Sequence, residues 1–267
     1  MLLLSSAAQA EGYVLGLGVE GDSSDGRLVA AFADIGAGEN TWITLNGALA
    51  ETQGIIRDNE TVLAGISVDH AFGAFGLRAG AGYWGNADIL DSRDLDAAIY
   101  LRGEAGSISV DYQKRRFEFD LQSDTLRGRT ATFDADGLGL TSRLGLGDTA
   151  SLYFGGMWYD YSRDLRIQAD IDVLSFISQS RLSMINSLID YHYSGGVEFE
   201  FGLRSLDFSI GQWQTAIDGA QIDSYSVGFL TPLADRLDVE VRYSLDESDG
   251  YGRTSALAVY FYYFGGL

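Results

Sequence analysis

Apolar and polar residues alternate with a period of two along most of the chain. The clearest case is segment 189–201, whose apolar face carries Ile189, Tyr191, Tyr193, Val197, Phe199 and Phe201. Segments 61–69, 75–83 and 237–246 repeat the pattern. Because successive side chains of a β-strand point to opposite faces, the pattern predicts strands with one apolar and one polar face. The chain is therefore predicted to be all-β.

Strand length and connection length distinguish a membrane barrel from a soluble β-sandwich. The predicted strands run about 9–13 residues, close to a tilted transmembrane strand and longer than the soluble average of about 5–6. Short connections are predicted at 36–40, 69–74, 103–107, 145–149, 202–205 and 232–236. Longer ones alternate with them at 21–26, 51–60, 86–94, 120–128, 162–188, 218–221 and 246–250. This layout predicts an antiparallel transmembrane β-barrel of about 14 strands, or 12 if a weak pair merges.

Aromatic residues near the predicted strand ends indicate girdles at the membrane interfaces. They are Tyr13, Tyr83, Trp84, Trp158, Tyr159, Tyr191, Tyr193, Trp213, Tyr225, Tyr260 and Tyr262. The last strand ends in Tyr262-Tyr263-Phe264, although three more residues follow. Residues 11–267 thus resemble Gram-negative outer-membrane β-barrels, porin-like in general form and without a match to a specific family. The resemblance implies an outer-membrane location, with short turns in the periplasm and longer loops outside.

The first ten residues have a different character from the rest. Residues 1–10 are uncharged, and Ala8-Gln9-Ala10 has the small-x-small form of a signal-peptide cleavage site. We therefore interpret 1–10 as the remnant of a signal peptide and 11–267 as a single barrel domain.

Composition narrows the possible functions. The chain has 38 acidic and 18 basic residues, a net charge of −20 and no cysteine. The acidic excess argues against nucleic-acid binding, which needs a basic surface. The absence of cysteine excludes disulfides, thiolate zinc sites and cysteine catalysis. Many acids lie in the predicted outer loops, where lipopolysaccharide and its divalent cations are the expected neighbours.

If the apolar faces contact lipid, the charged residues of the polar faces line a lumen. The predicted pore-lining residues are Arg78, Asp96, Arg102, Asp111, Arg115, Glu198, Glu200, Asp238, Glu240 and Arg242. Charges in a dry core cost several kcal/mol each unless paired, whereas charges facing water cost little. A barrel of this size has room for water, so a hydrated channel is predicted. A closed lumen held by charge pairs is the alternative.

A basic cluster lies at the outer end of one predicted hairpin. It comprises Lys114, Arg115, Arg116, Arg127 and Arg129. Such a cluster could shape the field across a constriction, or bind the phosphates of lipopolysaccharide. Three consecutive basic residues cannot all face the lumen, so either a β-bulge or outward snorkelling is expected. A solvated strand tip is the simpler alternative.

The longest loop, 162–188, divides into two patterns. Its first half alternates like an extended strand, and Leu174, Ile177, Leu182 and Ile185 follow near-helical spacing. The loop could fold inward as a constriction or form an outer lid, and the sequence leaves both open.

The two histidines are the starting point for any enzymatic reading. His192-Tyr193-Ser194 resembles the His-x-Ser pair of outer-membrane lipases, but both side chains are on the polar face, away from lipid. Asp190-Tyr191-His192 resembles the Asp-x-His pair of omptin proteases, which also require an Asp-x-Asp pair. Candidates for that pair are Asp94 and Asp96, Asp134 and Asp136, and Asp170 and Asp172. His70, in a short turn, is interpreted as structural.

No cofactor or metal site is predicted, because the acidic loops lack the spacing of a calcium-binding loop and no phosphate-binding glycine loop is present. The leading hypothesis is an outer-membrane channel for passive diffusion of small hydrophilic solutes or ions that favours cations over anions. The alternatives are an outer-membrane hydrolase using Asp190, His192 and Ser194, and a non-conducting structural or export barrel.

Overall fold

The computed structural model describes residues 12–52, 59–86, 90–121, 129–163, 188–249 and 252–266. Their strands are β1 (Tyr13–Asp22), β2 (Arg27–Gly36), β3 (Thr41–Thr52), β4 (Asn59–Phe72), β5 (Phe75–Asn86), β6 (Leu90–Gly103) and β7 (Gly106–Leu121). They continue as β8 (Arg129–Gly145), β9 (Ala150–Tyr161), β10 (Ile189–Phe201), β11 (Arg204–Thr215), β12 (Gln221–Ala234), β13 (Leu237–Ser248) and β14 (Gly252–Gly265).

Each strand pairs antiparallel with its chain neighbours, and β1 pairs with β14 to close the barrel. The prediction of 14 strands is confirmed, and the alternative of 12 is wrong. Tight turns join β2 to β3, β4 to β5 and every second pair after that, at the end where β1 starts and β14 finishes. Gly73 and Gly202 take positive φ angles of 71° and 69° in two of these turns, a conformation that glycine adopts without strain.

Three sequence-based predictions fall wholly or mostly outside the described residues. They are the signal-peptide remnant at 1–10, the loop at 162–188 except for its two ends, and Arg127. Within the described ranges, none of the secondary structure is a helix long and apolar enough to cross a membrane.

The outer face of the barrel is an apolar belt. Large hydrophobic side chains are exposed at alternate positions of successive strands, among them Leu17, Ile66, Leu95, Leu138 and Ile210. Leu95 and Leu138 each keep 61% of their surface accessible. A continuous exposed apolar surface of this extent requires a lipid environment.

The predicted aromatic girdle is only partly correct. Tyr13, Tyr83, Trp158, Tyr191, Tyr193 and Tyr225 lie on outward rows, whereas Trp84, Tyr159, Trp213, Tyr260 and Tyr262 face the interior. The cause is the strand period. Two consecutive aromatics such as Tyr83 and Trp84 point to opposite faces, so one of them must leave the lipid side.

The inner wall carries an apolar cluster near the longer-loop end. Its buried members are Trp84, Leu90, Phe117, Phe119, Ala135, Leu188, Ala216 and Ile217. Phe117 stacks on Phe133 with ring centroids 4.9 Å apart. The backbone N–H of Ala216 donates to the carbonyl of Leu188, which joins two outer connections at this cluster. The interior is therefore apolar near the longer-loop end and charged from there towards the tight-turn end.

Candidate lumen site

The strand register places all ten predicted pore-lining residues on inward rows. Arg78, Asp96, Arg102, Asp111 and Arg115 lie on β5 to β7, and Glu198, Glu200, Asp238, Glu240 and Arg242 lie on β10 and β13. Arg102 is at the tight-turn end, with its guanidinium 5.5 Å from the ring centre of Tyr100. Glu200 and Asp238 also lie near the tight-turn end. The other predicted residues belong to three groups of contacting side chains on the inner face of the barrel.

Arg242 is the centre of the first group. Its guanidinium donates to Asp207 at 3.0 Å and to Glu240 at 2.9 Å. Tyr262 donates its hydroxyl to the other oxygen of Glu240 at 2.7 Å, and Tyr153 donates to Asp207 at 2.5 Å. The group thus connects β9, β11, β13 and β14, and Glu240 is almost fully covered, with a side chain only 3% exposed.

Glycines on intervening strands leave the space in which these side chains lie along the inner face of the barrel. Tyr153 on β9 reaches Asp207 on β11 by passing over Gly196 of β10, where a Cβ atom would overlap the tyrosine ring. Arg242 passes in the same way over Gly228 of β12, where a Cβ would lie 3.0 Å from its guanidinium. The long side chains therefore lie against the wall and link strands that are not neighbours.

A second group lies on β4 to β8. Arg78 donates to Asp111 at 2.9 Å, and Asp111 also accepts hydrogen bonds from Ser109 and Thr141, each at 3.0 Å. Tyr100 donates to Asp69 at 2.5 Å across Gly76, whose missing side chain leaves room for the ring. Arg143 and Glu198 form a further ion pair across β9.

Arg115 forms a third group just below the apolar cluster. Its guanidinium donates to Asp94 and to Ser92, both at 3.2 Å, and lies 4.8 Å from the ring centre of Phe117. Beside it, Asp96 accepts from Gln113 at 2.7 Å, and the oxygen of that amide accepts from Tyr159. The Arg115 side chain is 7% exposed, so it is held between a carboxylate and an aromatic face.

Acids outnumber bases on the described inward rows. The inward acids are Glu20, Asp22, Asp34, Asp69, Asp94, Asp96, Asp111, Glu198, Glu200, Asp207, Asp238, Glu240 and Asp246. The inward bases whose side chains the structure describes are Arg78, Arg102, Arg115, Arg143 and Arg242. The interior therefore carries a net negative charge that its own arginines do not balance.

The basic cluster predicted from the sequence is divided between the two faces. Strand β7 pairs with both neighbours in continuous register, without a bulge. Arg115 consequently faces inward while Lys114 and Arg116 face outward, so of the two expected resolutions only the outward placement remains. Arg129 begins β8, and Arg127 lies outside the described residues.

The proposed catalytic residues do not form a catalytic arrangement. His192 and Ser194 face inward, opposite Trp213 and Gly211, and no hydrogen bond joins them. His192 contacts the Tyr159 ring at a centroid distance of 6.4 Å. Asp94 and Asp96 also face inward, but each is already hydrogen-bonded to a β7 side chain.

The remaining candidates are equally scattered. Asp134 and Asp136 face outward, on the other side of the wall from His192, and Asp170 and Asp172 lie outside the described residues. His70 is on an outward row and its Nδ1 is 2.7 Å from the Thr41 hydroxyl. In the part of the chain that the structure describes, no three His, Asp or Glu side chains converge as metal ligands would.

Sequence reasoning missed several members of the lumen groups. Arg143, Tyr153, Asp207 and Tyr262 are all linked to predicted residues. Asp207 and Arg143 could have been found from parity, since each follows a polar inward residue two positions away. Tyr153 could not, because its hydroxyl reaches a strand two places away over Gly196, and the sequence pattern assigns Tyr262, whose hydroxyl reaches Glu240 on the adjacent strand, to the aromatic girdle instead.

Comparison with known proteins gives no family but a clear fold. No protein-family model matches the chain, and no curated protein matches it in sequence. The CymD monoaromatic hydrocarbon channel superposes with a TM-score of 0.61 at 9% identity, covering 97% of this chain and 89% of CymD.

Two further solved structures superpose almost as well. A FadL homologue of Pseudomonas aeruginosa gives a TM-score of 0.54 at 10% identity, covering 94% of this chain and 89% of its own. The outer membrane protein Omp33 of Acinetobacter baumannii gives 0.53 at 11% identity, covering 96% and 99%. At these identities the likeness concerns the fold, and it confirms the predicted fold class: the chain is a closed antiparallel β-barrel of the porin-like architecture found in outer-membrane proteins.

Proposed function

We propose that the protein is an outer-membrane channel for passive diffusion of small hydrophilic solutes, with a preference for cations. The observation that carries the proposal is the acidic excess on the inward rows of a closed barrel. Carboxylates lining a pore attract cations and repel anions. The similar fold of the CymD channel supports conduction, and the lumen charges support the preference.

The arrangement of the charged side chains suits a water-filled pore. Arg78, Arg143 and Arg242 each lie against the wall in a carboxylate pair rather than pointing at one another across the lumen. Charges held in this way keep their positions while one side remains open to water, and exposed polar groups cost little there. Solutes would then pass along a polar wall whose field is fixed by the strands.

Planar bilayers provide the test of conduction and preference. We expect stepwise conductance from folded protein, and a reversal potential of cation-selective sign in a potassium chloride gradient. A variant combining Asp96→Asn and Asp238→Asn should move the reversal potential toward zero, because both carboxylates face inward. The control is Asp235→Asn in a tight turn. Folded protein without conductance would contradict the proposal, and anion selectivity would contradict its finer part.

A second candidate is a channel for small apolar solutes, favoured by the apolar cluster on the inner wall. Trp84 belongs to this cluster, and Trp213 to a smaller one with Ile189 and Ile222. A monoaromatic compound entering there should quench the fluorescence of wild-type protein, and Trp84→Phe should remove most of the change. Unchanged tryptophan fluorescence would count against this candidate.

The proposal assigns no enzymatic activity. It further includes lipopolysaccharide as the neighbour of the outer rim. A hydrolase would need His192 and a partner placed to activate it, so His192→Ala would abolish any hydrolysis that the purified protein performs while conductance should remain.

A further inference from the structure

The apolar belt is interrupted on the outside of β5 to β8, towards the longer-loop end. Two rows of outward residues run side by side across these strands. The upper row is Tyr83, Arg93, Arg116 and Asp134, and the next row is Ala81, Leu95, Lys114 and Asp136. The row after that, Ala79, Ala97, Tyr112 and Leu138, returns to the belt. The charged rows therefore lie at the boundary between belt and outer rim.

The upper row places two arginines directly opposite each other. Arg93 on β6 pairs in register with Arg116 on β7, and like charges in such cross-strand positions repel. Arg116 also has Asp134 opposite it on its other side, on β8; elsewhere on the described rim, the outward Arg27 is opposite Glu51 and Arg253 is opposite Glu247. An anion between Arg93 and Arg116 would remove the repulsion.

Neighbouring carboxylates satisfy these cations only weakly. Arg93 is 3.8 Å from Glu118 and Lys114 is 4.0 Å from Asp136, near the limit of ion-pair distance and with side chains a third to two-thirds exposed. Exposed pairs of this kind contribute little. Within the described residues, no carboxylate lies at ion-pair distance from Arg116. The three cations are thus available to an external anion.

The same residues line an open groove of about 680 Å³ on the barrel exterior. Ala81, Tyr83 and Leu95 supply its apolar and aromatic side, and Arg93, Lys114 and Arg116 supply its positive charge, which exceeds that of the two carboxylates in the lining, Asp94 and Asp134. A groove of this size can hold a phosphorylated sugar, and arginine binds phosphate through two parallel hydrogen bonds. The apolar belt directly below would contact acyl chains attached to the same molecule.

We propose that this groove, the β5–β8 groove, binds the phosphorylated sugar headgroup of an outer-leaflet glycolipid, the lipid A part of lipopolysaccharide. The assignment rests on the proposed outer-membrane orientation and is independent of conduction. Arg93 and Arg116 bind one phosphate between them, Lys114 adds a further charge, and Tyr83 packs against the sugar.

The test compares lipid A binding to folded protein in detergent among wild type, Arg93→Gln with Arg116→Gln, and the control Arg253→Gln. Each arginine should be worth about tenfold in affinity, as hydrogen bonds to charged groups usually are. We expect the double variant to bind at least tenfold more weakly and the control to bind as wild type does. Native folding is verified by heat-modifiable gel mobility, and conductance is recorded for each variant.

Three outcomes would overturn the proposal. They are equal binding by wild type and double variant, an equal loss in Arg253→Gln, and inorganic phosphate binding as tightly as lipid A, which would indicate a free-anion site. Dephosphorylated lipid A is the remaining arm, and it should bind about as weakly to wild type as lipid A does to the double variant. Channel activity is measured separately, so failure of this site and failure of the channel proposal are distinguishable.

Discussion

Arg242 illustrates how one cation can organise a length of the inner wall. It contacts Asp207 and Glu240, and through them it is connected to Tyr153 and Tyr262. Removing the guanidinium would leave two carboxylates close together without a counter-charge. Such a loss is costly in a dry core, and less so where water reaches one side.

We expect Arg242→Gln to lower the free energy of unfolding by about 1–3 kcal/mol, below the full cost of breaking a dry buried pair. It should also increase cation selectivity, because two carboxylates lose their balancing charge. The unfolding midpoint in urea, followed by gel mobility, and the reversal potential measure the two effects. Arg102→Gln is the control, since its guanidinium contacts a ring rather than a carboxylate. Unchanged stability in Arg242→Gln would show that the group is not a stabilising unit.

Gly76 is equally important, although it has no side chain. A Cβ at this position would overlap the Tyr100 ring, whereas a Cβ at the inward Gly155 would meet only the Thr141 hydroxyl at 3.9 Å. Glycine therefore holds Tyr100 against the wall and within reach of Asp69.

We expect Gly76→Ala to push Tyr100 into the lumen, break its hydrogen bond to Asp69 and destabilise the protein by about 1–3 kcal/mol, the usual cost of overpacking. Single-channel conductance should fall because the pore narrows. Gly155→Ala is the matched control and should change neither property. If both variants behave alike, the glycine-gap explanation is wrong.

At the scale of the strand, strict alternation governs which chemistry each residue meets. Strand β7 carries Lys114, Arg115 and Arg116 without a bulge, so adjacent cations face lipid, lumen and lipid in turn. The same rule sends Tyr83 outward and Trp84 inward. Residue type alone is therefore a poor guide to position in this fold.

The absence of cysteine from the chain makes this alternation directly testable. Ser109 faces inward, where the proposed pore would expose it to water, while the neighbouring Val110 faces outward and is 52% exposed. In folded protein in lipid vesicles, a water-soluble maleimide should label Ser109→Cys and leave Val110→Cys unlabelled. Labelling of Val110→Cys alone would reverse the assigned faces.

Strand number, turn positions and faces could be predicted because each depends on local pattern. Val239 and Glu240 reveal their opposite faces within their own segment. The contacts of Arg242 with Asp207, and of Tyr153 across Gly196, could not be predicted. They depend on the register between strands and on which inward position carries a glycine. The girdle prediction failed for Tyr262 because position near a strand end was considered without parity.

At the scale of the whole molecule, closure between β1 and β14 is decisive. These strands pair from Tyr13 with Gly265 to Asp22 with Ala256, and they leave no free edge in the sheet. In lipid, unpaired backbone groups cost several kcal/mol each, so an open barrel of these strands would be unstable there.

We expect a chain ending before β14 to lose the heat-modifiable folded form entirely, since both β1 and β13 would become open edges. The unboiled gel mobility of the refolded protein measures this. A chain lacking only residues 1–11 is the control and should fold, because all the strands remain. A folded, heat-modifiable truncation without β14 would contradict the need for closure.

The pairing of β1 with β14 also has a consequence for the order of folding. Every other strand pairing joins consecutive strands, so it closes a short segment of chain and can form early. The β1–β14 pairing joins residues at opposite ends of the sequence and carries the largest loss of chain entropy. Folding is therefore expected to proceed by successive hairpins towards one late step. Until that step, the first and last strands are the two edges of the sheet whose backbone groups have no partner strand.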